Sequence, residues 1–132
     1  MRQMEHMKNA AEKVGLLLNA EIEIEPGKCI VKKKRTIDIH ADNLFFPCIL
    51  DMDISFEDFR NNGFAVNRAE IFLLPEELPA FTIALNENQI PFPTDYQQWQ
   101  VTNPNIVSIW IKSIEPPEHF AERLSIALRV IE

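Results

Sequence analysis

The spacing of apolar residues changes period along this chain, and those changes constrain the fold more than any other feature of the sequence. Met7, Ala11, Val14 and Leu18 step by four, three and four, which puts them on one face of a helix. The next stretch, Ala20-Glu21-Ile22-Glu23-Ile24-Glu25, alternates strictly, the period of a half-buried strand. Pro26-Gly27 marks a turn. Residues 28–40 read as one longer strand or two short ones, with the basic run Lys32-Lys33-Lys34-Arg35 obscuring the boundary. Asp42-Asn43 interrupts the pattern. Leu50, Met52, Ile54 and Phe56 then alternate with Asp51, Asp53 and Ser55 as another strand, and Asn61-Asn62-Gly63 turns the chain.

The second half reads strand–helix–strand–strand–helix. Ala69 to Leu74 is a strand, and Pro75-Glu76-Glu77 opens a helix with proline and acids at its positive end. Leu78, Phe81 and Leu85 give that helix its buried stripe. Ile90, Phe92, Thr94 and Tyr96 alternate with Pro91 and Pro93 on the other side, which predicts an edge strand because proline offers no ladder donor. Ile106 to Ile114 is the most apolar strand. Pro116-Pro117-Glu118 opens the last helix, striped by Phe120, Leu124, Ala127, Leu128 and Ile131, with Arg123 expected to look outward or flank the stripe. Hairpins interspersed with helices predict an α+β fold of two layers: a mostly antiparallel sheet with helices on one face. At 132 residues, with no repeat or linker, the chain is expected to be a single domain spanning 1–132.

Composition then excludes function classes. Apolar residues make up 46% and charged residues 25%, so disorder is excluded. No apolar run approaches the ~20 residues of a membrane span. Met1-Arg2-Gln3-Met4-Glu5-His6 does not begin a secretory signal, and two cysteines are too few for a disulfide scaffold. These features lead us to expect a cytoplasmic protein without a membrane partner. A net charge of −7 argues against nucleic acid as a partner, because such binding rests on neutralising phosphates. The run Lys32–Arg35 is the one contrary signal; it reads as a solvated strand edge that discourages pairing or as an anion-binding patch.

Catalytic and metal motifs are absent. His6, His40 and His119 are scattered, and no Cys-x-x-Cys or His-Glu-x-x-His spacing occurs. His40 with Asp38 and Asp42 would share one strand face as a ligand cluster, although Asp42-Asn43 is also a natural turn. Three glycines cannot build a phosphate-cradling loop. Cys29 and Cys48 read as core residues or as reactive thiols. Asp51/Asp53 and Glu57/Asp58 read as the wet face of a strand, since a catalytic pair needs burial to shift a pKa. We therefore expect no cofactor, no metal and no catalytic residue. The segment Thr94-Asp95-Tyr96-Gln97-Gln98-Trp99-Gln100 is aromatic and polar at once. If strands 90–100 and 106–114 pair across Asn103-Pro104, then Tyr96, Gln98 and Trp110 are expected to line one groove for a small polar ligand or a peptide. The competing reading is an amphipathic strand whose Tyr and Trp cap the core edge.

Residues 69–131 resemble the C-terminal half of the LppY/LpqO-like family, a bacterial domain of unknown function. The resemblance rests on Ala69-Glu70-Ile71-Phe72-Leu73-Leu74-Pro75-Glu76-Glu77, Gln89-Ile90-Pro91-Phe92-Pro93, Pro104, and Phe120-Ala121-Glu122-Arg123-Leu124-Ser125-Ile126-Ala127-Leu128. Leu16 to Ala20, Pro26-Gly27 and the stretch Asp38–Pro47 follow the same order of elements. The family's His-Asn-His falls on Tyr96-Gln97-Gln98 and its later His on Trp110, so this chain lacks all three imidazoles. Imidazole titrates near neutrality and binds transition metals; tyrosine, glutamine and tryptophan supply hydrogen bonds and stacking instead. Members of the family often carry export signals, which this chain is expected not to have, so their location is not carried over. The resemblance implies a degenerate site in a non-catalytic binding or interaction module. The open strand inventory and the proline-bearing edge imply a homodimer. The rival expectation is a hydrolase-like enzyme that uses a metal at His40, Asp38 and Asp42, or a buried carboxylate pair.

Overall fold

The computed structural model describes all residues except 1, 42, 88–92, 94, 104 and 105; at 2–4, 40, 41 and 103 it describes the backbone alone. In chain order the elements are helix α1 (Arg2–Leu18), strands β1 (Glu21–Glu25), β2 (Lys28–Ala41), β3 (Leu44–Glu57) and β4 (Ala65–Leu73), helix α2 (Leu78–Asn86), strands β5 (Gln97–Asn103) and β6 (Ile106–Glu115), and helix α3 (Pro117–Val130). A single 3-10 turn over Pro75–Glu77 leads into α2. Among the described residues, six strands form one sheet in the order β1-β2-β3-β4-β6-β5, and every neighbouring pair is antiparallel. The α+β class and the element order of the second half agree with the sequence pattern.

Alternation gives the sheet an inner and an outer face. The inner face presents Val31, Ile54, Ile71, Ile109 and Ile111 to the helices, and all five are buried. Met7, Ala11 and Val14 of α1, Phe81 and Leu85 of α2, and Phe120, Leu124 and Leu128 of α3 close this core. The helix α3 lies against both other helices. At the end of α1, Asn19 takes a positive φ of 50° and Ala20 N–H donates to Gly15 O at 2.9 Å, which stops the helix and turns the chain into β1. A side chain at position 15 would meet Ala20 O and Ile22 Cγ2 at 3.2 Å, so this close approach suits glycine.

The outer face carries the alternate positions. One register row crosses all six strands there: Glu21, Lys32, Asp53, Glu70, Trp110 and Trp99. Residues 28–40 belong to one strand, and the basic run is divided by it. Lys32 and Lys34 face outward near Glu23 and Asp51, at 3.5 and 3.9 Å. Arg35 faces inward and grips both oxygens of Glu77, at 2.9 and 2.7 Å, and Phe72 O at 2.9 Å. Glu77 Oε1 also accepts the Leu74 N–H at 2.8 Å, which fixes the entry to α2.

Two further differences from the sequence pattern concern the hairpin of β2 and β3. The strand expected at 50–56 begins at residue 44, because β2 pairs with β3 along its whole length. By contrast β1 reaches only residues 28–32 of β2, and β4 only 53–57 of β3. The distal hairpin thus extends beyond the sheet as a two-stranded arm. The proline-bearing stretch 90–96 lies mostly outside the described residues; β5, which follows it, does occupy the sheet edge. Among the described residues, no helix is long and apolar enough to cross a membrane.

Candidate functional site

Two groups of polar and aromatic residues flank β6, one on each face. On the inner face, Tyr96 packs against the core immediately before β5, and its hydroxyl donates to Gln98 Oε1 at 2.8 Å. Arg123 on α3 is 1% exposed and forms an ion pair with buried Glu115 at the end of β6. Of the two positions expected for it, outward or flanking the stripe, it takes the flanking one and is buried there, because Glu115 neutralises its charge. The other Glu115 oxygen accepts the Ser113 hydroxyl at 2.5 Å. Asn67 on β4 donates to Glu115 O at 3.0 Å and to Ala65 O at 3.2 Å. Burial holds the Tyr96 phenol well above its usual range, with the Arg123 charge opposing that shift. Burial likewise lowers the guanidinium of Arg123. These groups engage one another under α3, which makes them a fixed polar joint between sheet and helix.

The outer face is open. Trp99 and Trp110 stand opposite each other on β5 and β6, with ring centroids 6.2 Å apart and planes within 4°. They are 48% and 36% exposed. Glu70 sits across from Trp110, and its Oε2 accepts the Ser108 hydroxyl at 3.0 Å. In the next row Arg68, which pairs with Glu57, lies opposite Lys112. A groove of about 340 Å³ is lined by the two tryptophans, Glu70, Arg68 and Lys112, with Lys28, Asp53 and Ser55 at its far side. That volume lies within the range of small-molecule sites. The rings offer apolar faces, the carboxylates accept hydrogen bonds, and the lysines and arginine donate them.

The groove anticipated from Tyr96, Gln98 and Trp110 does not form. Strands β5 and β6 pair from Asn103 with Ile106, so Gln98 faces Ile111 and Trp99 faces Trp110. Tyr96 and Gln98 therefore join the inner face, while Trp110 points through the other side of the sheet. The structure brings two of the three residues together and separates the third. Trp99, Glu70 and Ser108 were missed as neighbours of Trp110. Counting opposite positions outward from the Asn103–Ile106 pair would have placed Trp99 there.

The other candidates disperse. The Cys29 thiol is buried and pushed up to about 11, so it stays protonated at neutral pH. Asp51 and Asp53 are both exposed on the outer face of β3. Asp38 is exposed on the arm, whereas the His40 side chain and Asp42 lie outside the described residues. His6 and His119 are exposed. Among the described residues, no group of three or more His, Cys, Asp or Glu is placed to hold a metal ion.

No curated protein and no solved structure matches this chain. Residues 12–130 match the family described as Domain of Unknown Function (DUF1259), and the chain belongs to that family.

Proposed function

We propose that this protein is a non-catalytic binding module that takes a small, ring-bearing polar ligand on the outer face of its sheet. The finer LppY/LpqO-like resemblance belongs to the same reading, with tyrosine, glutamine and tryptophan standing where that family has histidines. The observation that carries the proposal is the Trp99–Trp110 pair, parallel and partly exposed beside the Glu70–Ser108 hydrogen bond. The partly exposed rings leave aromatic faces open to water, and a ligand ring stacked on them covers one such face with the offset geometry that aromatic pairs prefer. Carboxylates and amines at the rim supply orientation. Tyr96 and Gln98 act from beneath the sheet, holding the start of β5 and with it the position of Trp99.

Tryptophan emission tests this directly. The purified chain is titrated with nucleosides, monosaccharides and aromatic amino acids. A saturable change with at least one compound is expected, lost in Trp110→Ala and in Trp99→Ala. Saturable binding that both variants retain, or none with any compound, would end the proposal.

A further inference from the structure

We propose that the outer-face groove takes ligands whose ring carries an acid group, a carboxylate or a phosphate, with the acid seated on Lys112 and Lys28. The inference rests on the ring site proposed above. It adds the charge of the ligand and the end of the groove that reads it.

Strand register divides the groove into two rows. The first holds Asp53, Glu70, Trp110 and Trp99. The second, two residues along each strand, holds Ser55, Arg68, Lys112 and Gln97. Positions two apart on a strand lie roughly 7 Å from each other. The ring platform and both carboxylates therefore sit at one end. The second row contains no carboxylate, and Lys28 lines the groove beside it from β2.

The charges of the two rows are answered differently. Glu70 accepts the Ser108 hydroxyl, and Asp53 stands in register with Lys32. Arg68 is paired with Glu57. Lys112 stands directly opposite Arg68, where like charges repel. Asp95, just before β5, accepts the Ile114 N–H at 3.3 Å. Lys112 and Lys28 are both half-buried, and among the described residues neither has a carboxylate within ion-pair distance. A cation drawn partly out of water without a counter-charge is costly, and an anionic ligand supplies the missing partner. A cationic ligand would meet acids that already have partners. On a chain of net charge −7 this basic corner is a local exception, and the walls of a groove concentrate its field. Lysine meets carboxylate and phosphate alike as a point charge, so the chemistry common to both is a ring and an anion roughly 7 Å apart.

Two pairs of probes separate the ring from the acid: phenylpropionate against phenylpropanol, and adenosine monophosphate against adenosine. Each is titrated into the purified chain by calorimetry at low salt. In at least one pair the acid should bind roughly tenfold tighter than its neutral partner, and that pair identifies carboxylate or phosphate. Lys112→Gln should remove most of this difference without weakening the neutral compound, and Lys112→Arg should keep it. Salt at about 0.5 M should shrink it. Lys112→Gln should not lower the urea midpoint, because it relieves the repulsion from Arg68. Trp110→Ala should weaken both members of the pair. Equal binding of acid and neutral partner in both pairs would overturn the inference and leave the ring site standing. A preference that survives in the double variant Lys28→Gln with Lys112→Gln would do the same. Binding of neither member of either pair would overturn the inference too, and the tryptophan-emission titration alone would then decide the ring site.

Discussion

The two faces of β6 are built from consecutive residues, yet they follow opposite rules. Ile109, Ile111, Ser113 and Glu115 point into the layer beneath the helices, where every polar atom needs a partner. Ser108, Trp110 and Lys112 point to a face that no described helix covers. On the inner side a charge exists because another charge answers it; Arg123 and Glu115 are the case in point. On the outer side an aromatic pair stands exposed with acids and bases around it. The contrast teaches that a strand of ten residues can bury one face and leave an aromatic pair exposed on the other, with a one-residue step separating the two.

The sharpest way to break this comparison is to remove one charge from the inner face. Arg123→Met should cost about 3–5 kcal/mol in urea unfolding, because it strands the Glu115 carboxylate without its counter-charge. The double variant Glu115→Leu with Arg123→Met should recover most of that loss, since apolar residues of similar volume suit the same layer. A single variant costing under about 1 kcal/mol would mean that the pair is solvated and the two faces are not so different.

Next comes a truncation on each face. Ile109→Ala should cost about 2–5 kcal/mol through the cavity it leaves. Trp110→Ala, one residue away and more exposed, should cost less than Ile109→Ala, losing the stacked pair, worth about 0.5–1.5 kcal/mol beyond the area it buries, and should alter tryptophan emission strongly. Equal losses at the two positions would erase the distinction.

Alkaline pH sharpens it further. Cys29 and Tyr96 both have folded pKa values raised by burial, Cys29 from 9.0 to about 11. Their neutral forms are the ones that fit the core. The stability they allow is complete below their ordinary values and falls as pH rises beyond them, from about pH 9 for Cys29 and about pH 10 for Tyr96. The urea midpoint should therefore drop from pH 9 to pH 11. Cys29→Ala should remove the earlier part of the drop and Tyr96→Phe the later part. A midpoint flat across that range would show that neither group is held away from water.

Much of this fold was legible in the sequence. The stripe Met7, Ala11, Val14, Leu18 and the alternation of Val107, Ile109 and Ile111 are local patterns, and local periodicity decides helix or strand before any partner is chosen. The arm was less legible. Pro47 and the unbroken apolar run around it hide the alternation, and only pairing with β2 makes residues 44–49 a strand. Arg123 could be read as outward or as flanking the stripe, because a lone arginine on a helix does not declare its burial until its counter-charge is found eight positions earlier. The site was half legible. Aromatic and amide residues at 96–100 drew attention to the β5–β6 hairpin, but which of them share a face depended on register.

The chain alone determined its element types, their order and the composition of its core, because those follow from spacing along a single strand or helix. Tertiary structure decided which residues meet: Trp99 with Trp110, Arg123 with Glu115, Arg35 with Glu77. Those pairings depend on register and on which face each strand turns to the helices. A shift of one residue in pairing exchanges the two faces without altering the local pattern.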